Sequence, residues 1–156
     1  DLVAVKTLRR IVEALTPLVL CVFPRSKLWD LYSRLPSLAF DITWLAAREE
    51  QLIDEHLLSL GRRTALERAA YLLLHLFARA EEAGLVKNGS IQFPFTQQHL
   101  ADTLGMSLVH TNKTLKRLFV TKAIRWKDRL FEIVDRAALA GIAGSEVPKH
   151  RPRPFI

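Results

Sequence analysis

Residues 96–118 read TQQHLADTLGMSLVHTNKTLKRL, the pattern of a helix-turn-helix. Leu100, Ala101 and Leu104 fall on one face of a first short helix. Gly105 breaks it and Met106 fills the turn. Ser107 is an N-cap for a second helix running to about residue 118, because its hydroxyl can accept from a first-turn N–H. In that second helix Thr111, Thr114, Leu115 and Leu118 repeat at i, i+3, i+4 and i+7, the spacing of a packed stripe. Leu108, Val109, Asn112, Lys113 and Lys116 fall on the opposite side. An outer face of this kind suits a recognition helix in the major groove. A plain helical hairpin with a solvated basic face has the same pattern, so the flanking chain must decide.

Downstream, residues 124–126 and 130–134 alternate as two strands around Lys127, Asp128 and Arg129. A basic hairpin directly after a helix-turn-helix is the wing of a winged helix, with Lys127 and Arg129 at its tip in reach of phosphates. Asp135 caps a last helix, about 136–143, and Gly144 ends it. Residues 146–156 hold three prolines with Lys149, His150, Arg151 and Arg153, and read as an unfolded basic tail. Upstream, Asn88-Gly89 signals a turn and Ile91-Gln-Phe93-Pro-Phe95 a short edge strand. Thr96 caps the first helix of the motif.

Further upstream, Thr64-Ala-Leu-Glu67 has the spacing of a capping box. Its helix runs to about residue 83, with Leu66, Ala69, Ala70, Leu73, Leu76, Phe77 and Ala80 inward, and Gly84 follows it. Before it stands a long helix, about 38–60, opened by Ser37. Leu38, Ile42, Leu45 and Leu52 form an apolar stripe on it, with Phe40, Trp44 and Ala47 beside them. That is more apolar surface than one neighbour covers, and a helix paired with a second copy is expected. Glu49, Glu50, Asp54 and Glu55 read as a solvated face. Gly61 should interrupt this helix, making residues 59–63 a hinge. Residues 8–14 and 18–23 read as two strands lacking partners, a truncated β unit. Pro24 ends the second. Ser26 caps a short helix, about 27–33, that Pro36 shuts off.

The chain has 156 residues, 49% hydrophobic, and a formal net charge of +7. Between residues 87 and 130 eight cations stand against two anions, so the excess surrounds the helix-turn-helix and suits a polyanion. Cys21 is the only cysteine, which excludes an intrachain disulfide and an all-cysteine metal or iron–sulfur site. His56, His75, His99, His110 and His150 show no ligand spacing. No Gly-rich phosphate loop and no Ser/His/Asp order in a strand-turn-helix context points to an enzyme. The apolar run 18–23 is too short to span a bilayer, no signal peptide is visible, and a reducing, cytoplasmic setting without membrane association is expected. The chain opens at Asp1, and the first residues of a longer protein are expected to be missing.

Taken together, three runs resemble the Crp/Fnr family of bacterial transcription regulators: residues 57–74 (LLSLGRRTALERAAYLLL), 94–105 (PFTQQHLADTLG) and 109–118 (VHTNKTLKRL). Residues 13–16 and 24–28 resemble the end of the family's sensor β-roll. The resemblance implies a mainly α chain with small β elements. Residues 1–35 would be the remnant of an effector-sensing β-roll, 36–61 the dimerisation helix and hinge, 62–145 a winged helix-turn-helix DNA-binding domain, and 146–156 the tail. It implies a homodimer on a palindromic duplex operator, with RNA polymerase as a further partner and a small-molecule effector that the chain does not identify.

Carried over by position, base-contacting residues fall on Leu108, Val109, Asn112 and Lys113, and backbone-contacting ones on Thr96, Gln97, Ser107, His110 and Lys127. Lys116, Arg117 and Arg129 add cations to the same surface. The family's cyclic-phosphate Arg-Ser pair falls on Leu8-Arg9, which does not match and argues against a cyclic nucleotide. A commonly acidic reading position is Val109 and a common arginine is Lys113, so the outer face favours thymine methyl groups and lacks a planar fork for guanine. A usually aliphatic packing position is Thr111, whose hydroxyl is expected to bond the Ser107 carbonyl. A position often glycine is Ala123, and the wing turn has no glycine. Exposed Leu108 and Val109 keep open an alternative, a protein-interaction module using the winged-helix surface without specific DNA binding.

Overall fold

The computed structural model describes residues 14–146. A 3-10 turn, Arg25–Lys27, leads into helix α1, Leu28–Arg34, and then the long helix α2, Pro36–Arg62. Helix α3 is Ala65–Glu82, strand β1 Ser90–Gln92, helix α4 Gln97–Leu104 and helix α5 Leu108–Val120. Strands β2, Ile124–Lys127, and β3, Leu130–Ile133, form the hairpin, and helix α6, Arg136–Ala143, is the last element among the described residues. The sheet is antiparallel in the order β1-β3-β2, with Ile91 opposite Phe131 and Trp126 opposite Phe131.

One core serves α3, α4, α5, α6 and the sheet. Leu73, Leu74 and Phe77 of α3 meet Leu100 and Leu104 of α4, Leu115 and Leu118 of α5, and Leu139 and Ala143 of α6. Phe93 lies 5.1 Å from Phe131 and 4.9 Å from Trp126, so an aromatic knot ties the hairpin to α3 through Phe77 and Phe131. Leu74 belongs to the buried α3 stripe beside the seven inward residues expected there, of which Leu66 and Leu76 are only half-buried.

Local chemistry sets the element ends. Thr64 and Glu67 make the full capping box, and Asp135 accepts from the Ala138 N–H at 2.8 Å. Gly105 and Gly144 take the left-handed conformation that ends α4 and α6.

Four expectations upstream do not hold. Residues 18–23 are exposed and form no strand, because no other segment among the described residues offers them a ladder. The 8–14 strand lies outside the described residues apart from Ala14, which is not in a strand; the 147–156 part of the tail also lies outside. Ser26 caps nothing; the turn there is held by the Lys27 N–H on the Pro24 carbonyl at 2.9 Å. Pro36 does not merely end α1: it is the first residue of α2, where its missing N–H costs no helical bond, and Ser37 is not the cap. Gly61 does not break α2, which continues to Arg62. The stop comes when Arg63 turns extended (φ −88°, ψ 145°) to bring Thr64 into its capping position.

Candidate nucleic-acid interface

Two caps aim the helix-turn-helix. Thr96 Oγ1 accepts from the His99 N–H at 3.2 Å while the Thr96 N–H donates to His99 Nδ1 at 3.1 Å. Ser107 Oγ accepts from the His110 N–H at 3.3 Å. Thr96, Gln97, Ser107 and His110 are therefore exposed residues at the N-termini of α4 and α5, where unpaired N–H groups favour phosphate.

The faces of α5 divide as the periodicity requires. Thr111, Thr114, Leu115 and Leu118 are buried. Leu108 is 41% and Val109 66% exposed. Lys113, Lys116 and Arg117 are exposed, and none of them has an ion-pair partner among the described residues. Asn112 differs from the expectation of a free polar reader: it is half-buried and its Oδ1 is enclosed without a hydrogen-bond partner. Thr111 also differs. Its hydroxyl is buried and finds no partner among the described residues, and the Ser107 carbonyl accepts only the Thr111 backbone N–H, at 2.9 Å.

The wing stands beside this face. Asp128 (φ 51°) and Arg129 (φ 65°) form its two-residue turn, both in the left-handed region and without a glycine. Lys127 and Arg129 are exposed there, whereas Arg125 is held by Glu132 at 3.0 Å. Sequence reading missed Val120, 81% exposed on the last turn of α5. It lies at i+11 from Val109, so the outer-face periodicity would have found it had the helix not been ended at residue 118.

The joint between α2 and α3 is a second polar assembly. Tyr71 donates to Glu55, Arg48 pairs with Glu82, and Arg79 meets Glu49 at 2.7 Å. The Arg63 guanidinium lies 4.1 Å from the Tyr71 ring centre. Glu49 and Glu55 are thus partners of α3 rather than members of a purely solvated face, while Glu50 and Asp54 are exposed. Burial, and then the Glu55 contact, push the Tyr71 phenol well above its ordinary range. His75 stacks on Tyr71 with ring centres 6.0 Å apart, and burial followed by the Arg79 guanidinium holds its imidazole below the usual value. All of these groups but Glu49, Glu50 and Asp54 line a cleft of about 640 Å³ between the two helices. Leu38, Ile42, Leu45 and Leu52 are half-buried within the single chain, whereas Phe40, Ile53, Leu57 and Leu58 are exposed on α2.

No helix among the described residues is long and apolar enough to cross a membrane. Residues 67–142 match the Crp-like helix-turn-helix domain. A probable transcriptional activator of Rhizobium leguminosarum bv. viciae is 34% identical over 113 residues, 72% of this chain and 47% of that protein. The transcriptional activator protein FnrL of Cereibacter sphaeroides is 30% identical over 140 residues, 86% of this chain and 56% of its own length. The FixK2 structure from Bradyrhizobium japonicum superposes with a TM-score of 0.65 at 26% identity, over 76% of this chain and 58% of that one. The chain spans about half the length of the curated relatives it matches. Through its Crp-like helix-turn-helix domain and these relatives, the chain belongs to the Crp/Fnr family of transcription regulators, a class without enzymatic activity.

Proposed function

We propose that this chain binds a palindromic duplex operator as a homodimer and that an effector governs transcription by changing how its two winged helices are presented. One observation carries the reading: α5 projects a basic face free of ion pairs among the described residues, flanked on one side by two capped helix N-termini and on the other by the cationic wing. Recognition helices related by a two-fold axis must lie about 34 Å apart to meet successive major grooves. Half-buried Leu38, Ile42, Leu45 and Leu52, continued by exposed Ile53 and Leu57, give α2 an apolar length for a second copy. The Arg63 joint, braced by Glu55 and Tyr71, is where α2 and the winged helix would reorient. RNA polymerase is the partner such a regulator would recruit or exclude.

The test is binding to duplex DNA across a salt series, with a light-scattering mass on the same sample. A dimer mass at micromolar concentration is expected, with affinity falling steeply with salt as Lys116, Arg117, Lys127 and Arg129 displace counterions. A monomer that ignores DNA at every salt concentration would instead favour the protein-interaction reading of exposed Leu108 and Val109.

A further inference from the structure

We infer that α5 reads its operator through hydrocarbon and donor contacts alone, so that the contacted base edges are those of thymine and guanine, with Val109 the thymine-methyl reader. The inference rests on the DNA-binding reading above and concerns what that surface can recognise. The outward centre of α5 is the row Val109, Lys113, Lys116 and Val120, at i, i+4, i+7 and i+11. Two of these offer only methyl groups and two only ammonium donors. Helix α5, Leu108–Val120, contains no Asp or Glu.

The remaining acceptors on or beside this helix are buried, enclosed or off this row. Thr111 and Thr114 are buried, Ser107 Oγ receives the His110 N–H, and Asn112 Oδ1 is enclosed. His110 sits one residue from Val109, about 100° round the helix and off the centre line. In the major groove cytosine offers an amino donor and adenine an amino donor beside N7. The central row has nothing to accept either. Thymine offers O4 and its methyl, and guanine offers O6 and N7, all of which this row satisfies, whereas at adenine an ammonium could meet N7 but would leave the amino group unmatched.

The experiment selects a site for the full chain from random duplexes, then replaces its thymines one at a time by uracil, which removes only the methyl. Uracil is expected to weaken wild-type binding about fourfold at one or two positions per half-site, the worth of one buried methyl. Val109→Ala, an exposed change that leaves the core untouched, should abolish that sensitivity at the same position. Val109→Glu should shift the selected base there towards cytosine, whose amino group it can accept. Lys113→Ala should lose preference for a guanine or thymine at a neighbouring position. A selected site that is indifferent to every uracil overturns the inference while leaving specific DNA binding intact. Failure to select any sequence overturns the regulator reading itself, and this inference with it.

Discussion

Thr111→Val should make this protein more stable. Thr111 has no solvent exposure, and its hydroxyl finds neither a side chain nor a carbonyl. A buried hydroxyl without a partner costs about 1–3 kcal/mol in proteins. Valine has the same β-branched outline, so the change removes the polar atom without opening a cavity or altering helix propensity much. The expected gain is about 1–2 kcal/mol. In a domain of this size each kcal/mol raises the melting temperature by about 4–8 °C. Calorimetry or denaturant unfolding on wild type, Thr111→Val and Thr111→Ser would measure it. Serine keeps the hydroxyl and deletes a methyl, so it should lose about 1 kcal/mol. Operator affinity should be unchanged in Thr111→Val, because the side chain faces the core. A loss of 1 kcal/mol or more in the valine variant would refute the reasoning, since it would mean the hydroxyl makes a bond worth keeping.

Thr64→Ala removes the capping box at the start of α3 and should cost about 0.5–2 kcal/mol by urea unfolding; an unchanged midpoint would show that Glu67 alone suffices. His75→Phe keeps a ring against Tyr71 and removes a titrating group whose folded value lies below its ordinary 6.5. The unfolded chain takes up this proton first, so wild type should lose stability as pH falls below about 6.5 and be indifferent to His75 above it. The phenylalanine variant should show a shallower acid loss, and identical pH slopes would contradict this. Arg129→Gly frees a left-handed turn position and removes a wing cation. Stability should rise by about 1 kcal/mol, while DNA affinity falls and its salt slope drops by about one; a variant that weakens folding would show that the turn is unstrained.

What was legible in the sequence is what local chemistry settles. Thr64, Thr96, Ser107 and Asp135 each bond the N–H three residues on, and Gly105 and Gly144 end their helices, so the winged helix can be laid out almost residue by residue. Alternation around Asp128-Arg129 placed the hairpin although its turn lacks glycine. Errors gather where tertiary context overrules a local signal. Gly61 is a weak helix former, yet the end of α2 is set by the cap that follows it. Residues 18–23 have strand composition and no neighbour. The site followed the same division. The in–out sorting of α5 follows from its period, but the enclosure of Asn112 Oδ1 and the solitude of the Thr111 hydroxyl depend on what packs above them. Nor could spacing reveal that Glu55 meets Tyr71 across the joint, sixteen residues away.

The wing has a role when no DNA is present. In the order β1-β3-β2 both outer strands have an open side, and β2 presents a row of backbone groups on which a strand of another molecule could grow. Arg125 and Lys127 stand exposed on that strand, and β1 on the other margin spans only Ser90–Gln92 before Pro94 withholds an N–H. Charge guards one margin, and brevity with proline the other. Lys127, a phosphate contact in the proposed complex, would thus join Arg125 in keeping unbound copies from zipping together through their sheets.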